Sequence, residues 1–279
     1  MTHLDHGITD CKGFKITESL PWNLAVSQHS ETPNHWGFLL CGPPEDKENV
    51  YGAIGETETE VIGETCLGIP LANISTLQSP LVPLALACGL SVIDKAQLEL
   101  GDTAIVAGMN PLAYSILTAA KSQGARTACL TSGFKTTERD RSKMQTMADA
   151  LFEFESVSSF EEGLDAFLAS SIGKVVYIDA AGRPDLVYAM AARLRTFSTL
   201  VLCRQESTTF LQLDIRRHLH ITSARVYYWT RPECLEEALA LLQYYRQAAN
   251  LFQWNRLPQL QNRVFGISTL TRDSEVKDS

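Results

Sequence analysis

The sequence predicts a doubly wound α/β fold, a parallel sheet covered by helices on both faces, preceded by a small and mostly β amino-terminal domain. Three observations carry this. Short apolar runs with the character of strands buried on both faces alternate with segments whose apolar residues recur at helical spacing. The stretch from Leu98 to Ser132 reads as strand, tight turn, helix and strand, the unit from which parallel crossovers are built. Ahead of Pro80 the pattern changes to strand-like runs around a Pro/Gly turn.

Taken in order, GFLLCGPPEDKENVYGAIGETETEVIGE supplies two strands of a small antiparallel sheet around its Pro/Gly/charged turn. LVPLALACGLSVI is a connecting helix. Ala104, Ile105, Val106 and Ala107 form a buried strand, and Pro111 suits a first helical turn, where a missing N–H costs nothing. Leu112, Ile116, Ala119 and Ala120 face one side of that helix, Gly124 ends it, and Thr127 to Thr131 is the next strand. Met144, Met147, Ala148 and Leu151 are spaced as one helical face behind the basic loop FKTTERDRSK, a core stripe. A helix through Phe160, Leu164 and Phe167 leads into the strand KVVYID, and Leu186, Met190 and Leu194 mark the crossover to STLVLC. HITSARVYYW is another strand, and Leu235, Ala238, Leu239 and Leu242 belong to the helix closing the sheet. The expected organisation is 1–80 for the front domain, 81–250 for the parallel sheet and 251–279 for a return segment with a polar, disordered tail.

A chain of 279 residues, 45% hydrophobic, can bury a large core. Its formal charge of −8 argues against nucleic acid or an anionic membrane as the main partner. No apolar run reaches the ~18 to 20 residues of a membrane span, and MTHLDHGITDCKGF has no signal-peptide core, so the cytoplasm is the expected location. Seven cysteines, with no C-x-x-C among them, read as reduced and mostly buried thiols. Six histidines make no ligand spacing, and no metal site is expected. His218 and His220 alternate along RRHLHIT and read as a solvated or packed pair.

The chemistry is concentrated at the turn after the first parallel strand. The dinucleotide fingerprint G-x-G-x-x-G stands here as Gly108, Asn110 and Ala113, so the Rossmann-like sheet keeps only its first glycine. That glycine permits the tight turn; the second lets backbone approach a pyrophosphate and the third lets helix and strand pack closely. Ala113 is a mild departure. Asn110 can adopt a left-handed conformation, but its side chain projects where a phosphate would sit, either to bond it or to fill its space. Ligands of open parallel sheets bind beyond the carboxyl ends of the strands, where strand order reverses. That rule selects Gly108, Asn110, Pro111, Leu112 and Ala113, then Thr131, Ser132 and Lys135, then Asp179, Ala180, Ala181 and Gly182, and finally Cys203 to Gln205. At the end of the second strand Thr131 and Ser132 stand in place of an acidic selector, with Lys135, Arg139 and Arg141 following; lysine or arginine there gives charge-assisted bonds to a 2′-phosphate, or else forms a solvated helix entry.

LELGDTAIVAG, the Pro111 turn, AAKSQGAR, YIDAAG and STLVLC together resemble the medium-chain dehydrogenase/reductase superfamily, in its zinc-independent quinone-reductase-like and enoyl-reductase-like branches. The resemblance runs from about Pro80 to Tyr245, with ETCLGIPLANISTLQSP similar to the end of a GroES-like domain that is truncated here. It implies a nicotinamide dinucleotide as cofactor, NADPH by the selector residues above, a small-molecule substrate, a homodimer paired through an edge such as ARVYYW, and a nicotinamide side at Asp179 to Gly182. The four-cysteine and Cys/His zinc patterns of the zinc-dependent members are absent from the sequence. No catalytic residue of the family maps onto the front domain, whose available groups are His35, Trp36, Cys41 and Tyr51. Tyr114, just beyond the turn, is the candidate catalytic hydrogen-bond donor, with a packing tyrosine as the other account. Two functions are consistent with this: an NAD(P)H-dependent reductase of a conjugated carbonyl or enoyl substrate, or a scaffold without the redox step, serving as a cyclase, an isomerase or a noncatalytic partner subunit.

Overall fold

The computed structural model describes residues 7–21, 36–45, 49–71, 80–131, 138–153, 157–182, 184–191, 193, 198–203 and 223–253. Strands β1 (Thr9–Asp10), β2 (Lys15–Pro21), β3 (Trp36–Gly42), β4 (Tyr51–Glu56) and β5 (Leu67–Pro70) form an antiparallel sheet in the order β1-β5-β4-β3-β2. Strands β3 and β4 flank the Pro/Gly/charged segment and pair antiparallel, from Trp36 opposite Glu56 to Cys41 opposite Tyr51.

A six-stranded parallel sheet follows, built from β6 (Thr103–Ala107), β7 (Arg126–Thr131), β8 (Ala150–Glu153), β9 (Val175–Asp179), β10 (Thr199–Cys203) and β11 (Arg225–Trp229) in the order β11-β10-β9-β6-β7-β8. Successive side chains leave a strand on opposite faces. Ala104, Val106, Val176, Ile178 and Val201 therefore enter one core, and Ile105, Ala107, Tyr177, Leu200 and Leu202 enter the other. Helices α1 (Leu81–Lys95), α2 (Pro111–Ser122), α3 (Glu138–Met147) and α6 (Leu235–Gln253) contribute to the first core, whereas α4 (Val157–Ala169) and α5 (Pro184–Ala191) cover the second. Two-sided covering explains why the strands read as unbroken apolar runs.

Helix α1 is buried at every residue from Leu81 to Leu90, as expected of a helix apolar on all sides. It packs on α2, α6 and β3, and the front-sheet residues Phe38, Ile54 and Ile69 share its core. Its polar groups are tied down: the Trp229 indole N–H donates to Ser91 Oγ at 2.7 Å, and the Tyr244 hydroxyl donates to Asp94 Oδ2 at 2.5 Å. The front sheet is also held by Arg231, which pairs with Glu64 at 2.7 Å and lies 4.5 Å above the Trp36 ring.

The stripe of Met144, Met147, Ala148 and Leu151 is not one helix. Met144, Met147 and Ala148 are buried, but α3 ends at Met147, and Leu151 belongs to β8. The break is made by Asp149, whose N–H donates to Thr127 O (3.0 Å) while its carboxylate accepts from Thr127 N (2.8 Å) and Oγ1 (3.1 Å), drawing the chain onto the β7 edge. Of HITSARVYYW, the described strand is RVYYW. The pair His218 and His220, Leu194 and the polar tail lie outside the described residues. Among the described residues no helix is long and apolar enough to cross a membrane.

Gly89 is where α1 meets α2 backbone to backbone. A Cβ there would stand 2.6 Å from the Ser115 carbonyl carbon and 2.9 Å from Ile116 N. Gly89→Ala must push the two helices apart, and it is expected to lower stability by about 1–3 kcal/mol, read as a drop in the urea midpoint with an unchanged slope.

Candidate cofactor crevice

Strand order reverses between β6 and β9, since the chain moves from β6 outward through β7 and β8 and then returns to β9 on the other side. The turns after these two strands face each other and are in direct contact. Gly108 has φ +124°, a backbone state that favours glycine. Its N–H donates to Leu130 O at 2.9 Å and its carbonyl accepts from the Cys129 thiol at 3.4 Å, so it is fixed to β7. A Cβ on Gly108 would lie 3.2 Å from Ala181 N and 3.4 Å from the Ala180 carbonyl carbon. From the opposite wall the Ala180 N–H donates to Ala107 O at 3.0 Å.

Asn110 caps α2 in extended backbone, with φ −129° and ψ 168°. The left-handed conformation that the sequence allowed is not used, because an N-cap residue sits naturally in the β region. The Ala113 N–H donates to its Oδ1 at 2.8 Å, and its own Nδ2 donates across the crevice to Ala180 O at 2.7 Å. The side chain thus fills space between the walls, and Asn110 is only 4% exposed. Pro111, Leu112 and Ala113 are buried in the first turn. Tyr114 is buried too, and its hydroxyl donates to Met109 O at 3.2 Å, which ties the helix back to its own entry turn.

Asp179, fully buried at the end of β9, accepts at Oδ1 from Ala181 N (3.1 Å) and Gly182 N (3.0 Å) and so shapes the second turn. Ala180 and Cys203 are buried at the mouths of β9 and β10. Burial, with Cys203 close by, pushes the Cys88 thiol well above its ordinary range, and burial does the same to Cys129. Such thiols stay protonated and inert.

Thr131 is the buried last residue of β7. The register of β8 sets Glu153 opposite it, a carboxylate that sequence position alone did not connect with this place. Glu153 is gripped by Arg141 through Nε–Oε1 at 2.6 Å and Nη2–Oε2 at 2.9 Å, with Glu138 also within 3.5 Å of the guanidinium. Arg141 of the basic run is therefore held by carboxylates. Arg139 lies on α3, while Ser132, Lys135 and Gln205 are outside the described residues.

In the front domain, Trp36 carries the Arg231 guanidinium, the Cys41 thiol donates to Tyr51 O at 3.6 Å within the small core, and His35 is outside the described residues. A cavity of about 200 Å³ lies on this sheet among Leu39, Ile62, Glu64 and Cys66, and shares no residue with the crevice. Burial pushes the Cys66 thiol up to about 11 against the pull of Arg231. Among the described residues no three His, Cys, Asp or Glu side chains are grouped to hold a metal ion.

No protein-family model and no curated protein matches the sequence. The fold, however, is similar to solved structures. Galactitol-1-phosphate dehydrogenase from Escherichia coli matches with a TM-score of 0.58 at 11% identity, over 90% of this chain and 89% of that one. CurA in complex with NADPH from Vibrio vulnificus matches with a TM-score of 0.58 at 15% identity, over 92% and 85%. An alcohol dehydrogenase zinc-binding domain protein from Burkholderia ambifaria gives 0.56 at 12% identity, over 89% and 84%. The shared architecture is a doubly wound, Rossmann-like parallel sheet preceded by a small, mostly β domain.

Gly108→Ala is expected to cost about 1–2 kcal/mol for the left-handed backbone alone, before its methyl presses on Ala181. Urea unfolding checks this, and an unchanged midpoint would refute the reading of Gly108 as the fixed point between the two turns.

Proposed function

We propose that this chain is a zinc-independent, NADPH-dependent reductase of the medium-chain type, acting on a small conjugated carbonyl or enoyl substrate. One observation carries the reading. The switch point of the parallel sheet is formed as a close meeting of two turns, with a bare Gly108 Cα against Ala180 and Ala181, the arrangement a dinucleotide needs to lie along backbone. Gly108, Ala113 and Thr131 suit the cofactor in chemistry, whereas Asn110, among the described residues, stands in its way. Gly108, Pro111, Leu112 and Ala113 would hold the diphosphate, Thr131, Ser132, Lys135 and Arg139 the adenosine end, and Asp179 to Ala181 with Cys203 the nicotinamide end.

NADPH, when bound, supplies the hydride. The chain's own part is to orient and to exclude water. Thr131 offers an uncharged group where a carboxylate would repel a 2′-phosphate, and the nearby Glu153 is neutralised by Arg141. The Asp179 carboxylate keeps the second turn rigid through two backbone bonds. The proton for the reduced substrate comes from water or from Tyr114, whose hydroxyl would first have to leave Met109 O. We further propose a homodimer joined along β11, the outer strand of the parallel sheet, working in the cytoplasm on a small molecule, without nucleic acid or membrane as partner.

A second reading is favoured by Asn110, which occupies the Ala113 N–H and bridges to Ala180. In it the scaffold has given up the redox step and serves as a cyclase, an isomerase or a noncatalytic subunit. Titration of the purified protein with NADPH and NADH separates the two. The reductase binds NADPH saturably and more tightly than NADH, and Lys135→Ala reduces the difference by roughly 1.5–3 kcal/mol, the scale of one charge-assisted contact. Equal affinities in the wild type would remove the selector argument; silence toward both would favour the second reading. Because the sequence lacks zinc-ligand spacing, elemental analysis is expected to find no stoichiometric zinc, and the fold should survive chelation. One tightly held zinc per chain would refute that.

A further inference from the structure

The Asn110 side chain joins two walls that a dinucleotide must lie between. Its Oδ1 accepts from Ala113 N at 2.8 Å on the helix side, and its Nδ2 donates to Ala180 O at 2.7 Å on the β9 side. A diphosphate on a turn of this kind is held by backbone N–H groups at the helix start, whose partial positive charge suits an anion. Pro111 brings no N–H, so the donor on Ala113 matters more than it would otherwise. That donor is the one Asn110 takes. Asn110 is 4% exposed, so its side chain is enclosed between the two walls.

We propose that Asn110 is a latch that determines which ligands the crevice admits, and this rests on the reductase reading. Its carboxamide occupies the diphosphate position in the closed protein, and a dinucleotide binds by displacing it from both Ala113 N–H and Ala180 O. The exchange is feasible because a phosphate oxygen makes a charge-assisted bond to the amide, stronger than the neutral one it replaces. It also weakens binding, since the bond to Ala180 is lost and the carboxamide must find new partners. A ligand that stops short of the diphosphate position does not open the latch.

The test compares wild type, Asn110→Gly and Asn110→Ser by calorimetric titration with NADPH and, separately, with adenosine 2′-monophosphate, which carries the 2′-phosphate but nothing at the diphosphate position. Glycine is accepted at an N-cap with little loss, and serine keeps a capping oxygen on a shorter arm, so melting curves should show both variants folded. Asn110→Gly is expected to bind NADPH roughly tenfold or more tightly than wild type, the scale of two ordinary hydrogen bonds no longer broken, with Asn110→Ser between them. Adenosine 2′-monophosphate should bind all three alike, which a general loosening of the fold would not leave unchanged. Saturable NADPH binding by wild type that Asn110→Gly equals or weakens overturns the latch and leaves the cofactor reading standing. A silent wild type with a binding Asn110→Gly means the dinucleotide does not displace the carboxamide, and it overturns both the latch and the reductase reading of the natural chain. Silence from both folded proteins overturns both.

Discussion

The structure depends on the need to cover a parallel sheet on both faces, and α1 packs on the helices α2 and α6 that share its core. A helix apolar on every side has no stable surface position, so it is driven inward, where α2, α6 and the front-sheet strand β3 pack on it. Gly89 lets it approach α2 at backbone distance, and α2 in turn fixes the turn that carries Gly108 and Asn110. The crevice is thus positioned by packing well behind it. Trp229 and Tyr244 then tie polar groups of α1, and Arg231 ties the front sheet through Glu64.

At the crevice two demands compete. Buried backbone donors at a helix start require partners, and an N-cap side chain is the most local way to supply one. A dinucleotide site requires the same donors to await a ligand. Asn110 satisfies the first demand and adds a bond to the opposite wall, so its side chain joins the two walls of the crevice. A glycine at this position would leave the helix end uncapped by a side chain and the passage open.

The neighbouring charges follow the same logic of local satisfaction. Of the basic run after β7, Arg141 is matched to Glu153 by the short β8 strand, which brings a carboxylate beside Thr131 from 22 positions further along the chain. Asp149 works similarly: one carboxylate both stops α3 and docks the chain on β7. Its pKa is lowered although burial opposes this, because the Thr127 N–H and Lys121 favour the charged form. These pairs shape the rim through geometry set by strand register.

Residue order alone dictated the alternation of strand and helix, the two-sided burial of the sheet and the place of the crevice, because apolar periodicity and the Gly108–Pro111 turn are local signals that burial reinforces. It also marked Asn110 as the residue that departs from the dinucleotide pattern. Only folding decided what Asn110 does, since its partner Ala180 lies 70 residues away and becomes a neighbour solely because β9 returns to pair with β6. The break between Met147 and Leu151 and the meeting of Glu153 with Thr131 were equally invisible to spacing. Helical periodicity continues through a sequence until a long-range hydrogen bond interrupts it, and the register between parallel strands is fixed by contacts the chain acquires only when its crossovers have closed.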